Sequence, residues 1–223
     1  MKTFIALALA GTALSAQAAI ITQWDFEAAN LTASIGAGTA SYVGGTGAAS
    51  AGEFASGFGG SVAGWNTSSY AASGSGNKSA GVQFAVSTSG FQGIKVSYNH
   101  RHSNTSANTN VLQYTINGTT WIDAQTFSFT PAATGTGDTW YSRAFDFTGI
   151  AGVDNNALFA VRVVSAFDSS TGNYRASRST SSYAATGTYR FDNVTIEGTL
   201  IPSSGSLALM GMGLAVAARR RRA

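Results

Sequence analysis

The 223-residue sequence contains no cysteine, only 2 prolines and few charged residues. The lack of cysteine excludes a disulfide framework, an iron–sulfur cluster and a thiolate zinc site. Charged residues make up 10% of the chain, whereas an ordinary soluble domain has about 25%. The 27 glycines follow no Gly-X-Y period, which excludes collagen, and the 44% of apolar residues argue against an intrinsically disordered chain.

The N-terminal segment has the features of a secretory signal peptide. Lys2 precedes a largely apolar run at residues 4–14, and small residues follow up to Ala18. A basic start, a short apolar stretch and an A-x-A pattern together predict cleavage between Ala18 and Ala19. We therefore interpret residues 1–18 as a signal peptide and expect an exported protein.

The C-terminal segment combines an apolar stretch with a basic end. Residues 207–218 are all apolar or glycine. A helix that begins at Ile201 and runs through this stretch has 18 residues and spans about 27 Å, which is marginally enough to cross a membrane. The arginines that follow would remain on the cytoplasmic side. This basic block consists of Arg219, Arg220, Arg221 and Arg222.

Most of the positive charge of the chain lies in these two ends. Lys2 and the four terminal arginines are 5 of the 13 basic residues, and neither end contains an acidic residue. The remaining chain has 8 basic and 10 acidic residues and therefore a net charge of −2. A basic surface that binds nucleic acid is not expected.

The C-terminal segment, residues 200–223, resembles the PEP-CTERM sorting domain. That domain has a Pro-Glu-Pro motif, a glycine-punctuated transmembrane segment and a terminal arginine cluster, and the spacing from Pro202 to the arginines fits it. Ser203 and Ser204 stand where the family has glutamate and the second proline. The resemblance implies a Gram-negative source, transient residence in the inner membrane, an exosortase-type enzyme as processing partner, and a final place at the cell surface or outside the cell. Because the motif is degenerate, cleavage of the tail is left open.

Residues 19–199 show the period-two alternation that is typical of β-strands. The clearest alternating sets are Ile20/Thr22/Trp24/Phe26, Val82/Phe84/Val86, Ile94/Val96/Tyr98 and Leu112/Tyr114/Ile116, followed by segments 140–147, 158–165 and 189–197. No stretch keeps a helical apolar stripe for three turns. About eight short strands predict an all-β fold, an antiparallel β-sandwich of jelly-roll type, with a hydrophobic helix only in the tail.

Two local features refine this prediction. Asn117-Gly118 lies between two predicted strands and predicts a two-residue type I′ hairpin turn. Residues 30–79 are rich in glycine and alanine, and they predict only one or two strands joined by long loops. We expect Trp65 to lie in one of these loops, where packing does not explain it.

The first and last predicted strands resemble those of secreted, carbohydrate-binding-like jelly rolls. The resemblance rests on residues 24–27, an aromatic-x-Phe-Glu start, and on residues 189–196, a Phe-Asp-Asn-Val-x-Ile end. It implies a structural calcium ion held by Asp25, Glu27 and Asp192. The alternation also slips near Asp192, as a β-bulge would cause, and bulges re-aim side chains. The alternative is that these acids simply face solvent.

The sequence contains no recognisable catalytic motif. It has no His-Glu-x-x-His, Gly-x-Ser-x-Gly or Walker pattern. Its 7 aspartates and 3 glutamates could in principle supply the two carboxylates of a glycosidase, but they form no local set. We therefore expect no enzyme activity and keep a polysaccharide-active hydrolase as a remote alternative.

Aromatic rings beside planar polar groups are the natural contacts for a sugar, and the segments between strands are rich in both. We expect glycan contacts at Trp65 and Tyr70 and at the polar cluster of His100, Arg101 and His102. Further aromatic candidates are Trp121, Trp140 and Tyr141. The alternative role of each is core packing or hydrogen bonding to a neighbouring loop.

The sequence thus predicts an exported, non-catalytic protein of the cell surface or biofilm matrix that contacts exopolysaccharide. The alternative is a purely structural envelope or matrix protein without a specific ligand.

Overall fold

The computed structural model describes residues 17–133 and 138–202. Within these residues the backbone forms thirteen β-strands and a short 3₁₀ turn at Phe58–Gly60. The strands are β1 Ala18–Trp24, β2 Ile35–Gly36, β3 Thr39–Val43, β4 Gly47–Ala48, β5 Phe54–Ala55, β6 Gly64–Ser68, β7 Gly81–Ala85, β8 Phe91–His102, β9 Thr109–Thr115, β10 Ile122–Ser128, β11 Trp140–Asp146, β12 Ala160–Ser165 and β13 Tyr189–Leu200.

The predicted signal peptide and the predicted C-terminal sorting tail lie largely outside the described residues. The described part of the chain begins one residue before β1, so the expected cleavage point falls between the first two residues of that strand. Pro202 is the last described residue and is exposed, whereas Ser203, Ser204 and the four arginines are not described. Across residues 17–133 and 138–202, no helix is both long and apolar enough to span a bilayer.

The strands form two antiparallel sheets. Sheet A has the order β11-β8-β13-β1-β2, and β6 joins it beside the first half of β13 with β4 and β5 on its far side. Sheet B has the order β10-β9-β12-β7-β3. Most connections cross from one sheet to the other, which is the pattern of a jelly roll. The predicted all-β antiparallel sandwich is confirmed.

The core lies between the two sheets and consists of the inward positions of alternating strands. Every second residue of β7, β8, β9 and β12 is buried there, because a strand turns successive side chains to opposite faces. The predicted inward residues Val82, Phe84, Ile94, Val96, Tyr98, Leu112 and Tyr114 are all buried. The residues between them therefore face outward, and this fixes which side chains can meet a ligand.

The first strand departs from strict alternation. The register between β1 and β13 shifts between Ile20 and Thr22, which is a β-bulge. Thr22, Trp24 and Phe26 are buried as predicted, but Ile20 is 42% exposed. Ile21 packs against the core in its place, so the prediction that Ile20 points inward is wrong.

Two further predictions about local structure need correction. Residues 30–79 contain five short strands, β2 to β6, and not one or two. The β9–β10 hairpin is confirmed, but residues 116–121 form its loop and Asn117 has no positive φ, so it is not a type I′ turn. Instead, the Asn117 Oδ1 atom accepts hydrogen bonds from the N–H groups of Thr119 and Thr120, at 3.0 and 2.8 Å.

The β-bulge predicted near Asp192 is present. The register between β13 and β8 shifts between Asp192 and Thr195, and Asn193 has a φ of 49°. A residue in this left-handed region breaks the alternation of the strand, so Phe191 and Val194 are both buried although they are three residues apart.

Candidate functional site

Trp65 lies in β6 and is fully buried. Its ring packs against Tyr42 at 4.9 Å and Phe84 at 5.9 Å between ring centroids, and Phe26 and Phe191 complete the cluster. Its Nε1–H donates to the Tyr42 hydroxyl at 3.0 Å. The expectation that Trp65 lies in a loop and is unexplained by packing is therefore wrong.

The other predicted ligand residues are not brought together on one surface. Tyr70 is 6% exposed, and its hydroxyl lies 2.5 Å from the Thr67 hydroxyl. His100 and His102 share a face of β8, as expected, but this is the inner face and both are fully buried. Arg101 lies on the outer face of sheet A and forms an ion pair with Asp138.

The buried histidines are held in the neutral form. Burial lowers the pKa of His102 to about 3, although its hydrogen bond to the Ala107 carbonyl opposes this. Burial and the neighbouring His102 lower the pKa of His100 well below its usual value. The His100 ring stacks on Phe191 with 4.6 Å between ring centroids. Both histidines therefore act as core residues in this structure.

Two acids of the predicted calcium site, Asp192 and Glu27, contact the 3₁₀ turn or the residues that follow it. Asp192 is buried, and its Oδ2 accepts hydrogen bonds from the Phe58 N–H at 2.7 Å and the Ser61 hydroxyl at 2.8 Å. Glu27 Oε2 accepts from the backbone N–H of the residue after Ser61, and Asp25 Oδ1 accepts from the Glu27 N–H. Burial raises the pKa of Asp192, and the charge of Glu27 adds to this effect. In the described parts of the chain, no three such side chains converge closely enough to hold a metal without rearrangement.

The outer face of sheet B carries a row of polar side chains that crosses all five strands. We call it the polar row. It consists of directly paired residues on neighbouring strands: Ser41 of β3, Gln83 of β7, Arg162 of β12, Gln113 of β9 and Asp123 of β10. Directly opposed side chains lie about 5 Å apart, so these five form one continuous strip.

Hydrogen bonds fix the centre of the polar row. Arg162 Nε donates to Gln113 Oε1 at 2.6 Å, and Gln113 Nε2 donates to Asp123 Oδ1 at 2.6 Å. Lys78 enters from the loop before β7 and forms an ion pair with the same carboxylate. Burial raises the pKa of Asp123, but the hydrogen bonds from Lys78 and Gln113 outweigh it, and the pKa is lowered overall.

Trp121 stacks on this row. The Arg162 guanidinium carbon lies 4.2 Å from the centroid of the Trp121 ring, within the range of a cation–π contact. Trp121 is half-buried at the end of the β9–β10 loop, just before β10. It is one of the aromatic residues that the sequence marked as a candidate contact, and Arg162 holds its ring in a defined position.

A groove of about 430 Å³ lies beside the polar row. We call it the sheet B groove. Its floor consists of small side chains, because Thr39, Ala85 and Ala160 are paired in register next to the polar row. Gln83 belongs to both features, and Leu158, which is 60% exposed, forms part of the wall. An exposed concave surface with a few converging polar groups is the usual form of a binding site.

No feature of the sequence points directly to the polar row. Its members are separated by about 10 to 42 positions in the chain, and none belongs to a local motif. Alternation indicates that Gln83 and Gln113 point away from the core, but only the strand order and register place them beside Arg162. Neither of these follows from a single sequence.

No protein-family model matches the sequence, and no curated protein sequence shows significant similarity to it. Solved structures with a similar fold exist. The CBM22-1 xylan-binding domain of Paenibacillus barcinonensis Xyn10C is 11% identical, with 84% of this chain and 99% of that chain covered and a TM-score of 0.46. The family 11 carbohydrate-binding module of Clostridium thermocellum, in complex with a mixed-linked tetrasaccharide, is 15% identical, with 82% and 100% covered and a TM-score of 0.39.

A third similar structure is larger than this chain. The CBM22-1–GH10 modules of a Clostridium thermocellum xylanase, complexed with xylohexaose, are 14% identical with a TM-score of 0.44. The match covers 70% of this chain but 25% of that one, so the present chain spans about a quarter of its length. These identities and TM-scores are too low to transfer a ligand or a residue role. The protein is a two-sheet antiparallel β-sandwich that is similar, at this distance, to carbohydrate-binding modules.

Proposed function

We propose that this protein is a non-catalytic polysaccharide-binding module whose site is the outer face of sheet B. The observation that carries the proposal is the polar row, which crosses five strands beside an open groove and beneath a stacked tryptophan. A strip of this length suits a chain of sugar units better than a small molecule.

The chemistry of the strip matches that of a sugar. A pyranose has apolar C–H faces and a rim of hydroxyl groups, so it needs a flat aromatic surface next to groups that both donate and accept hydrogen bonds. Trp121 supplies the aromatic surface, and the amide of Gln83 supplies a donor and an acceptor. Among the described residues, no protein group forms a hydrogen bond with the Gln83 amide, so it is available to a ligand.

We propose in addition that the module works outside the cytoplasm. The signal segment with cleavage between Ala18 and Ala19 supports export, and the tail from Pro202 supports PEP-CTERM-type sorting through the inner membrane by an exosortase-type enzyme. The expected place is the cell surface or the extracellular matrix, where exopolysaccharide is the partner. Glycan binding and a purely structural matrix role then differ in one property, which is saturable retention on a polysaccharide.

Replacement of Trp121 by alanine tests the site. We expect the Trp121→Ala variant to lose at least tenfold in affinity, because truncation of a central aromatic contact removes about 2 kcal/mol or more. The measurement is affinity electrophoresis of the purified protein in gels that contain xylan, mixed-linked β-glucan, polygalacturonate or alginate. Gln83→Ala is a second variant, since it removes a contact without removing packed volume.

The matched control is Trp140→Ala. Trp140 lies on the outer face of sheet A, paired with Arg101, and its ring contacts Phe58 at 5.8 Å between centroids. This variant should bind like the wild type. If none of the polysaccharides retards the wild-type protein, the binding proposal fails and the structural role remains. If Trp140→Ala loses binding and Trp121→Ala does not, the site lies on the opposite sheet.

We further propose that Asp25, Glu27 and Asp192 take up a structural calcium ion. Support comes from the repulsion between Glu27 and Asp192, which a cation would relieve, and from Asp25 and Glu27, each of which has one carboxylate oxygen that accepts no hydrogen bond from the described residues. We expect a calcium concentration of 100 Kd to stabilise the fold by about 2.7 kcal/mol, or about 5–10 °C in Tm. Calorimetry in chelator and in excess calcium measures this shift, and Asp25→Asn should reduce it. Equal melting temperatures in both solutions would refute the site.

A further inference from the structure

We propose that the polysaccharide bound at the sheet B groove is acidic, with carboxylate groups on its sugar units, and that Arg162 binds these carboxylates. The inference rests on the proposed function and specifies its ligand class. It follows from the charges on this face of the sheet and from the way in which Arg162 is held.

The charges of the polar row do not cancel. Lys78 and Asp123 form an ion pair, and Asp123 is further occupied by the Gln113 amide. Arg162 contacts neither an acid nor a carboxylate oxygen directly, since its Nε donates to the neutral Gln113 amide. None of the residues that line the sheet B groove is charged. One positive charge therefore stands uncompensated beside an uncharged groove, although residues 19–199 carry a net negative charge.

The Arg162 side chain is held in place before any ligand arrives. Its guanidinium group is fixed on one side by the Trp121 ring and through Nε by Gln113. In the part of the chain that the structure describes, this is the only hydrogen bond that Arg162 donates, so both Nη groups are free. With Nε occupied, the edge formed by the two Nη groups remains free, and this edge of a planar guanidinium matches a carboxylate in a bidentate pair.

Coverage of the groove by a ligand favours an anion over a neutral sugar. Arg162 is half-buried, so its charge has lost part of its hydration. This burial lowers the pKa of Arg162, and the more distant charge of Asp123 compensates only partly. A neutral ligand that covers Arg162 would remove more water from an unpaired cation, and this costs free energy. A carboxylate replaces that water with a charge-assisted hydrogen bond. Gln83, the direct neighbour of Arg162 in the polar row, is placed to bind the adjacent hydroxyl groups.

The experiment compares two polymers that have the same backbone, one with charged carboxylates and one with neutral esters. Polygalacturonate carries free carboxylates, and its fully methyl-esterified form has the same backbone without them. We expect the purified wild-type protein to bind polygalacturonate at least tenfold more tightly than the ester in affinity electrophoresis or titration calorimetry. The difference should shrink at high salt, because salt screens an exposed ion pair.

Three variants test whether Arg162 causes the preference for the charged polymer. Arg162→Gln should bind both polymers equally weakly, and Arg162→Lys should retain part of the preference because it keeps the charge and loses the bidentate geometry. Lys95→Gln is the control, since it removes one positive charge from the exposed outer face of sheet A and should leave the preference intact. Thermal melting shows whether each variant is folded, and Arg162→Lys keeps the test valid if Arg162→Gln is not.

The outcomes separate the two proposals. Equal binding of both polymers by the wild type, or an unchanged preference in folded Arg162→Gln or Arg162→Lys, would overturn the acidic ligand and leave the binding site standing. Binding to neutral polysaccharides alone would have the same meaning. No binding to any polymer would refute the proposed function itself.

Discussion

Replacement of Trp65 by alanine should destabilise the protein by about 4 kcal/mol, the cost typical of removing a fully buried large aromatic side chain. The ring lies between the two sheets, where it contacts four other aromatic rings, and its Nε1–H donates to the Tyr42 hydroxyl. The truncation would leave a cavity and an unpaired tyrosine hydroxyl. For a domain of this size we expect a fall in Tm of about 8–16 °C.

Calorimetry of three tryptophan-to-alanine variants checks this expectation. Trp65→Ala should melt far below the wild type, whereas Trp140→Ala and Trp121→Ala should each lose much less, because both rings are only half-buried. Glycan retention must be measured below the melting temperature of each variant. A Trp65→Ala protein that melts like the wild type but no longer binds polysaccharide would show that Trp65 contacts ligand and that our assignment to the core is wrong.

The contrast between Trp65 and the correctly predicted strands shows when the alternation of apolar and polar residues identifies a strand and when it does not. Alternation is visible when one face of a strand is buried and the other is exposed, as in β8, where Ile94 and Val96 alternate with exposed Lys95 and Ser97. All five residues of β6 are buried: β4 and β5 pair along its edge, and Asn66 Nδ2 donates to the carbonyl of Gly52 in the segment between them. A strand that is buried on both faces has no alternation, and a glycine-rich sequence hides it further.

The residues of the proposed site could not be predicted from the sequence for a different reason. The sequence indicates that Gln83, Gln113 and Arg162 face away from the core, because their neighbours belong to alternating apolar sets. It does not indicate that β12 lies between β7 and β9, since pairing partners far apart in the chain depend on the whole topology. The cluster of His100, Arg101 and His102 shows the reverse case, because these residues are adjacent in the sequence but do not share one surface in the fold. Residues adjacent in a strand point to opposite sheet faces, so that cluster is divided between core and surface.

Acidification from pH 7 to pH 5 should destabilise the protein through His100 and His102, by about 2 kcal/mol through His102 alone. Both side chains have a pKa near 6.5 when unfolded, and burial lowers it in the fold, to about 3 for His102. Between these values the unfolded chain binds protons that the folded chain does not, so stability falls as the pH falls below 6.5. His102 contributes about 2 kcal/mol at pH 5 relative to pH 7, and His100 adds a further loss in the same direction.

The surroundings of the His100 and His102 rings disfavour the protonated form of both. Within residues 17–133 and 138–202, both ring nitrogens of His100 and the Nε2 atom of His102 have no hydrogen-bond partner. The Arg143 guanidinium disfavours a positive charge on both rings, and Arg101 also disfavours it on His102. Protonation therefore creates a buried, unpaired cation, and the fold can relieve it only by opening.

Urea denaturation at pH 7 and pH 5 measures the effect. The difference in unfolding free energy between the two pH values should be about 2 kcal/mol for His100→Leu, which keeps His102, and clearly larger for the wild type. Carboxylates titrate equally in both proteins, so the change in this difference isolates His100. The variant also removes two unpartnered buried nitrogens, so it need not be less stable at pH 7. An equal loss in both proteins would mean that His100 gains a proton within the fold, and that the space between the sheets is open to water.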